Sequence, residues 1–147
     1  MTTNNLRFPS TKSMLKTLVK NSFKAIEDGM YEMKGDREYS NHTCLSLRNN
    51  ILHCEQTPLL TEIKYASPSR GTLVDSNEMS VEEIATTMEK AGAIGISILT
   101  QPYLFNGWIG NILRARKYVT VPILMKDIVV SDIQIKAAKK AGSKSGL

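Results

Sequence analysis

The sequence predicts an α/β fold in which strands and helices alternate along a parallel sheet. Three segments form continuous apolar runs of strand length, and each is followed by a segment with helical spacing. This alternation is typical of right-handed βαβ units, and apolar strands are expected where both faces of the sheet are covered. Only helical patterns precede the first strand. We therefore expect a helical extension over residues 1–57 and three β/α units over residues 58–147.

The extension is expected to contain two helices. Gly29 is a natural end for the first, whose apolar residues follow helical spacing at Leu15, Leu18, Val19, Phe23 and Ile26. Residues 29–43 are polar and rich in turn formers. A second short helix is expected over residues 45–55, and no strand is expected before Leu59.

Three strand–helix pairs are expected after the extension. The strands are placed at residues 59–65, 94–100 and 121–127. The helices are placed at residues 81–91, from about Asn106 to Tyr118, and from Ser131 to near Gly142. Two of these helices begin with the sequence pattern of a capping box, formed by Ser80 with Glu83 and by Ser131 with Gln134.

A near-repeat indicates that the architecture is incomplete. "KAGAIGISIL" (90–99) runs from a helix end through a glycine into a strand, whereas "KAGSKSGL" (140–147) repeats the helix end and the glycine without a strand. Three parallel strands leave two open edges. Apolar strands at an open edge favour association with another chain, so we expect self-association through the open sheet edge or a larger domain around this chain.

Composition and charge narrow the function classes. The net charge of +5 favours anionic partners without choosing among them. Cys44 and Cys54 cannot form a disulfide framework, and the first residues lack the apolar core of a signal peptide, so we expect a cytoplasmic protein. The uncharged run from Ala91 to Leu113 is interrupted by turn residues, so we expect no membrane span.

Charged side chains stand at the carboxyl ends of two predicted strands. Glu62 and Lys64 share one face of the first strand, and Lys126 lies near the end of the third. Ligands of open α/β sheets and barrels bind at this end. Two ammonium groups beside a carboxylate suit an anionic substrate, and a partly desolvated lysine can act as a general acid. The alternative is that these lysines simply reach solvent.

Other candidate sites have weaker patterns. Ser67 and Ser69 supply hydroxyl groups to the loop after the first strand, but neither lies in a Gly-x-Ser-x-Gly elbow. A zinc site is not predicted, because the required spacings are absent among His42, Cys44, His53 and Cys54. A lysine stripe on the first helix favours a solvated face over a nucleic-acid or membrane surface; it comprises Lys12, Lys16, Lys20 and Lys24. We also find no Gly-rich dinucleotide or P-loop pattern.

Four motifs together resemble one enzyme family. They are "EIKYASPSRG" (62–71), "ISILT" (96–100), "FNG" (105–107) and "VPILMKD" (121–127). They are similar to motifs of indole-3-glycerol phosphate synthase, a (β/α)8 barrel of tryptophan biosynthesis, and the resemblance covers about residues 10–142. It implies a partial (β/α)8 TIM barrel with an amino-terminal helical extension.

The resemblance also implies a reaction. The family is a carboxy-lyase without metal or organic cofactor that closes the ring of 1-(2-carboxyphenylamino)-1-deoxyribulose 5-phosphate. By motif, Lys126 would be the general acid, Lys64 would hold an anionic group and assist dehydration, and Glu62 would orient Lys64. Ser67 would help to bind the anionic groups of the substrate, and Phe105 would pack on its anthranilate ring.

Three departures from the family pattern affect these expectations. Ile128 replaces a usual aromatic residue, and Gln101 replaces a usual glutamate. A complete barrel has eight strands and typically ~250 residues. The family's general base and main phosphate site lie on later strands, so we expect this chain alone to be inactive. The alternative reading is a non-catalytic half-barrel that oligomerises or binds a partner.

Overall fold

A computed structural model describes residues 11–33, 45–75 and 78–143 of the chain. Its helices are α1 (Thr11–Glu27), α2 (Leu47–Leu52), α3 (Val81–Lys90), α4 (Pro102–Phe105), α5 (Gly110–Arg116) and α6 (Asp132–Lys140). Its strands are β1 (Leu60–Ile63), β2 (Ala66–Ser67), β3 (Gly71–Thr72), β4 (Gly95–Leu99) and β5 (Ile123–Lys126).

The three longer strands form one parallel sheet in the order β1-β4-β5. In its register Glu62 lies opposite Ser97, Ser97 opposite Leu124, and Leu99 opposite Lys126. The strand in the middle, β4, is buried along its whole length, whereas β1 and β5 are partly exposed. The predicted α/β class, with strands and helices in alternation, is confirmed.

The hydrophobic core lies between one face of this sheet and the helices that follow the strands. The sheet contributes Ile63, Ile96, Ile98, Ile123 and Met125, and the helices contribute Val81, Ala85, Ile112, Ala115, Ala137 and Ala138. Because side chains alternate along a strand, Glu62, Leu124 and Lys126 project from the opposite face. The structure therefore separates an apolar outer face from an inner face that carries charge.

Local capping signals are confirmed at both predicted positions. Ser80 and Glu83 form a reciprocal capping box at α3, and Ser131 and Gln134 form another at α6. The first helix ends as expected, since Gly29 adopts a positive φ of 71° that a residue with a side chain adopts at a cost.

One helix was predicted from about Asn106 to Tyr118, and the predicted start of this helix was wrong. A short helix, α4, occupies residues 102–105 and ends at Asn106, whose left-handed φ of 51° stops it. A Cβ at Gly107 would lie 2.5 Å from the Leu99 carbonyl oxygen, so the chain passes too close to β4 for a side chain there. Only afterwards does α5 begin at Gly110.

The loop after β1 also holds an element that the sequence did not predict. Strands β2 and β3 form a two-residue antiparallel hairpin, in which Ala66 pairs with Thr72 and Ser67 with Gly71. Gly71 has a φ of 67°, which supplies the left-handed position that this tight return needs.

The extension contacts both ends of the sheet. At the carboxyl end, the Tyr31 hydroxyl group donates a hydrogen bond to Asp127. At the amino end, the Asn50 side chain of α2 donates to the Ile94 carbonyl oxygen at 3.0 Å. The extension therefore packs onto the β/α units, and the boundary at residue 57 stays a prediction. Within the described ranges, no helix has the length and apolarity to cross a membrane.

Candidate functional site

Three predicted site residues meet at the carboxyl end of the sheet. Glu62 is the next-to-last residue of β1, and Lys64 directly follows the end of that strand. Lys126 is the last residue of β5. All three project from the inner face, because the register places them in alternation with buried Ile63 and Met125.

Glu62 bridges the two lysines. One carboxylate oxygen lies 2.9 Å from the Lys64 Nζ, and the other accepts a hydrogen bond from the Lys126 Nζ. Burial alone would raise the pKa of Glu62, but the hydrogen bonds from Lys126 and Lys64 outweigh it and lower that pKa below its usual value. The cluster thus holds an ionised carboxylate between two cations.

This cluster is partly open to solvent. The side chains of Glu62 and Lys64 are 30% and 32% exposed, and that of Lys126 is 54% exposed. With one carboxylate and two ammonium groups, it keeps a net positive charge at neutral pH. An arrangement of this kind can bind an anion and can donate a proton from an ammonium group to a bound oxygen.

A second carboxylate, Asp127, lies directly after Lys126 and is partly buried. It accepts hydrogen bonds from the Tyr31 hydroxyl group at 2.5 Å, the Thr100 hydroxyl group at 2.6 Å and the Ile128 amide at 2.8 Å. Burial raises the pKa of Asp127 and outweighs the lowering effect of these donors. Burial, with the nearby Asp127 charge, also raises the pKa of Tyr31.

The residues expected to bind substrate lie around the same end of the sheet. Ser67 is in β2, and its hydroxyl oxygen accepts a hydrogen bond from the Arg70 amide at 3.2 Å. Phe105 is the last residue of α4 and is partly buried. Strand β2 contacts α4, so these two predicted residues belong to neighbouring elements.

The two departures from the motif pattern have structural roles. The buried Gln101 is the N-cap of α4, and its side-chain oxygen accepts a hydrogen bond from the Leu104 amide at 3.0 Å. Its side-chain nitrogen is buried and has no hydrogen-bond partner among the residues that the structure describes. Ile128 donates its amide hydrogen to Asp127 and accepts a hydrogen bond from Gln134 at its carbonyl oxygen.

The lysine stripe and the histidines and cysteines considered in the sequence lie in the amino-terminal extension. On α1, Lys16, Lys20 and Lys24 are exposed, whereas the Lys12 side chain lies outside the described residues. His53 and Cys54 follow α2, and no group of three metal-ligating side chains occurs in the described part of the chain. His42 and Cys44 lie outside it.

Comparison with known proteins identifies the family. The family model of indole-3-glycerol phosphate synthase matches residues 15–147. The chain belongs to this family. It is 42% identical over 92 residues to indole-3-glycerol phosphate synthase of Methanocaldococcus jannaschii, with 63% of this chain and 34% of that protein covered. The same enzyme of Oceanobacillus iheyensis is 33% identical over 111 residues, with 74% and 40% covered.

The comparison with relatives also shows how much of the family's length the chain covers. The chain spans 34% to 41% of the length of relatives such as those of Methanocaldococcus jannaschii and Desulfosudis oleivorans. Members of the family are TIM barrels, and the three parallel strands with their helices form part of such a barrel. The predicted fold class, a partial barrel with an amino-terminal helical extension, is confirmed.

The sequence interpretation missed the Asp127 network. Its members lie far apart, since Tyr31 and Asp127 are separated by 96 positions. One signal was present: Asp127 is a carboxylate directly after an apolar strand, where an ionisable group needs partners if it is buried. No local pattern connected that carboxylate with Tyr31.

Proposed function

We propose that this chain supplies the amino-terminal part of an indole-3-glycerol phosphate synthase active site. The reaction closes the ring of 1-(2-carboxyphenylamino)-1-deoxyribulose 5-phosphate and releases carbon dioxide and water. The observation that carries the proposal is the cluster of Glu62, Lys64 and Lys126, which stands at the carboxyl ends of the strands within the region that matches the family. The net positive charge of the cluster suits a substrate with carboxylate and phosphate groups. We place the reaction in the cytoplasm.

Lys126 is proposed as the general acid. Protonation of the substrate carbonyl oxygen makes its carbon a better acceptor for the aromatic ring carbon that closes the indole ring. The exposure of Lys126, 54%, leaves its ammonium group accessible to a substrate in the barrel mouth. Positioned acids of this kind contribute about 10²–10⁴-fold to rate.

Lys64 and Glu62 are proposed to act on the same substrate. Lys64 holds an anionic group and assists the later loss of water, and Glu62 orients Lys64, consistent with their separation of 2.9 Å. Ser67, in the hairpin after β1, contributes a hydroxyl group to the anionic groups of the substrate, and Phe105 packs on the anthranilate ring.

We expect the chain by itself to be inactive, and this expectation provides the test. The part of the barrel that this chain does not span is supplied by co-expressing the corresponding strands of the Methanocaldococcus jannaschii relative, and product formation is followed by indole fluorescence. We expect no turnover by either piece and turnover by the assembled pair. Lys126→Ala should lower the rate at least about 100-fold.

Lys136→Ala is the matched control, because Lys136 is an exposed lysine of α6 that pairs with Asp132 away from the cluster. It should leave the rate unchanged. A pair that assembles by size-exclusion chromatography but makes no product contradicts the proposed function. Equal rates for Lys126→Ala and the unsubstituted pair contradict the role of Lys126.

A further inference from the structure

Thr100 holds the backbone at Lys126 and the side chain of the next residue through two hydrogen bonds. The Thr100 amide donates a hydrogen bond to the Lys126 carbonyl oxygen at 3.1 Å. The hydroxyl group of the same threonine donates to the carboxylate of the next residue, Asp127, at 2.6 Å. The end of β4 thus fixes two successive residues at the end of β5.

The loop after Lys126 is held in the same way from α6. The Gln134 side-chain oxygen accepts hydrogen bonds from the Val130 amide at 2.8 Å and the Ser131 amide at 3.2 Å. Its side-chain nitrogen donates to the Ile128 carbonyl oxygen at 3.1 Å and lies 3.3 Å from the Tyr31 hydroxyl oxygen. Gln134 itself is completely buried.

Tyr31 joins this network from outside the barrel. It follows α1, is 4% exposed, and places its hydroxyl group between the Asp127 carboxylate and the Gln134 amide. Tyr31 therefore connects the extension to Asp127 and to Gln134, the two side chains that hold the segment after Lys126.

We propose that Tyr31 is a positioning residue for Lys126 and acts through the Asp127 carboxylate and the buried Gln134 side chain. This inference rests on the proposed function, because it assigns Lys126 its catalytic role. A small displacement of a catalytic group lowers its rate contribution strongly. The extension thereby sets the direction in which the proposed acid faces the barrel mouth.

The first test uses the chain alone and does not depend on activity. Lysine labelled with ¹³C at Cε gives one NMR signal per side chain, and Lys126→Arg identifies the Lys126 signal. We expect Tyr31→Phe to shift the Lys126 signal and to leave that of Lys136 in place. Tyr103→Phe is the matched control, since its hydroxyl group bonds to Asp28 and Lys24 and should shift the Lys24 signal instead.

An unchanged Lys126 signal in a folded Tyr31→Phe chain overturns the proposal. Amide spectra establish the fold. If Tyr31→Phe fails to fold, Thr100→Val removes the other hydroxyl donor to the same Asp127 oxygen and should shift the Lys126 signal as well. No shift in that folded variant overturns the proposal too.

The second test separates positioning from stability in the assembled barrel. Tyr31→Phe should lower kcat about tenfold with little change in KM, and it should have no further effect in an Asp127→Asn background. A lower melting temperature with unchanged kcat would show a structural role only and overturn the inference. If the unsubstituted pair is inactive, the proposed function fails, while the NMR result still decides the role of Tyr31.

Discussion

At the scale of single residues, two carboxylates at the carboxyl end of the sheet have pKa values shifted in opposite directions. Glu62 is partly exposed and lies between two ammonium groups, which hold its pKa below the usual value although burial opposes them. Asp127 is partly buried and accepts hydrogen bonds from neutral donors, so burial raises its pKa. Lowering the pH therefore removes stability through Glu62 and adds it through Asp127.

The first prediction concerns Glu62→Gln. A group whose folded pKa is lowered stabilises the fold above its unfolded pKa, here near 4.5, and this contribution is lost as the pH falls through the folded value. Because the cluster is about one-third exposed or more, we expect a loss of only about 0.5–1 kcal/mol at pH 7. The difference should shrink towards zero below the lowered pKa.

Urea unfolding at a series of pH values measures this difference. Glu55→Gln serves as the control, since Glu55 is an exposed glutamate in the segment before β1 and away from the cluster. A Glu62→Gln chain as stable as the unsubstituted one at pH 7, or a difference that grows at low pH, would show that the carboxylate does not stabilise the fold through its lysines.

At the scale of elements, the capping boxes define where α3 and α6 begin. In α3 the Ser80 hydroxyl oxygen accepts from the Glu83 amide, and the Glu83 carboxylate accepts from the Ser80 amide at 3.0 Å. In α6 the corresponding glutamine also reaches Tyr31. One capping box is therefore a local device, and the other is part of a tertiary network.

We predict that Ser80→Ala destabilises the chain by about 1 kcal/mol, because the helix loses an N-cap acceptor. Denaturant titration measures the effect. Ser69→Ala, in the exposed loop between β2 and β3, is the control and should change stability by less than about 0.5 kcal/mol. Equal effects of the two substitutions would show that the capping box adds nothing at α3.

Sequence patterns predicted the elements where local chemistry decides them. Hydrophobic periodicity and the serine caps identified α3, α6 and the three strands of the sheet. The short helix α4 was missed because its end depends on the left-handed Asn106 and on the contact between Gly107 and β4. The charged cluster followed from alternation along the strands, whereas the link from Tyr31 to Asp127 depends on tertiary packing.

At the scale of the whole molecule, the described sheet has uncovered surface. Among the described strands, β1 and β5 each pair on one side only. At the β1 edge, Leu59 and Leu60 are 48% and 46% exposed. At the other edge, Val129 after β5 is 47% exposed. Open apolar edges of this kind favour pairing with another chain.

We predict that the chain self-associates through the open edge of the sheet at β1. Sedimentation velocity should show a larger species whose fraction rises with concentration, and Leu60→Lys should lower that fraction. Leu15→Lys is the control, since Leu15 is 57% exposed on α1. A chain that stays monomeric at every concentration, or equal effects of the two lysines, would rule out association through β1.

The bridge from Glu62 to both lysines also has a consequence for the salt dependence of the proposed anion binding. Glu62 already serves both ammonium groups as a counter-ion within the protein, so we expect a bound carboxylate or phosphate to displace few ions from solution. At the proposed site, an incoming anion therefore shares the two lysines with Glu62. The affinity for the anion should therefore fall less steeply with ionic strength than the affinity of a site with two unpaired lysines.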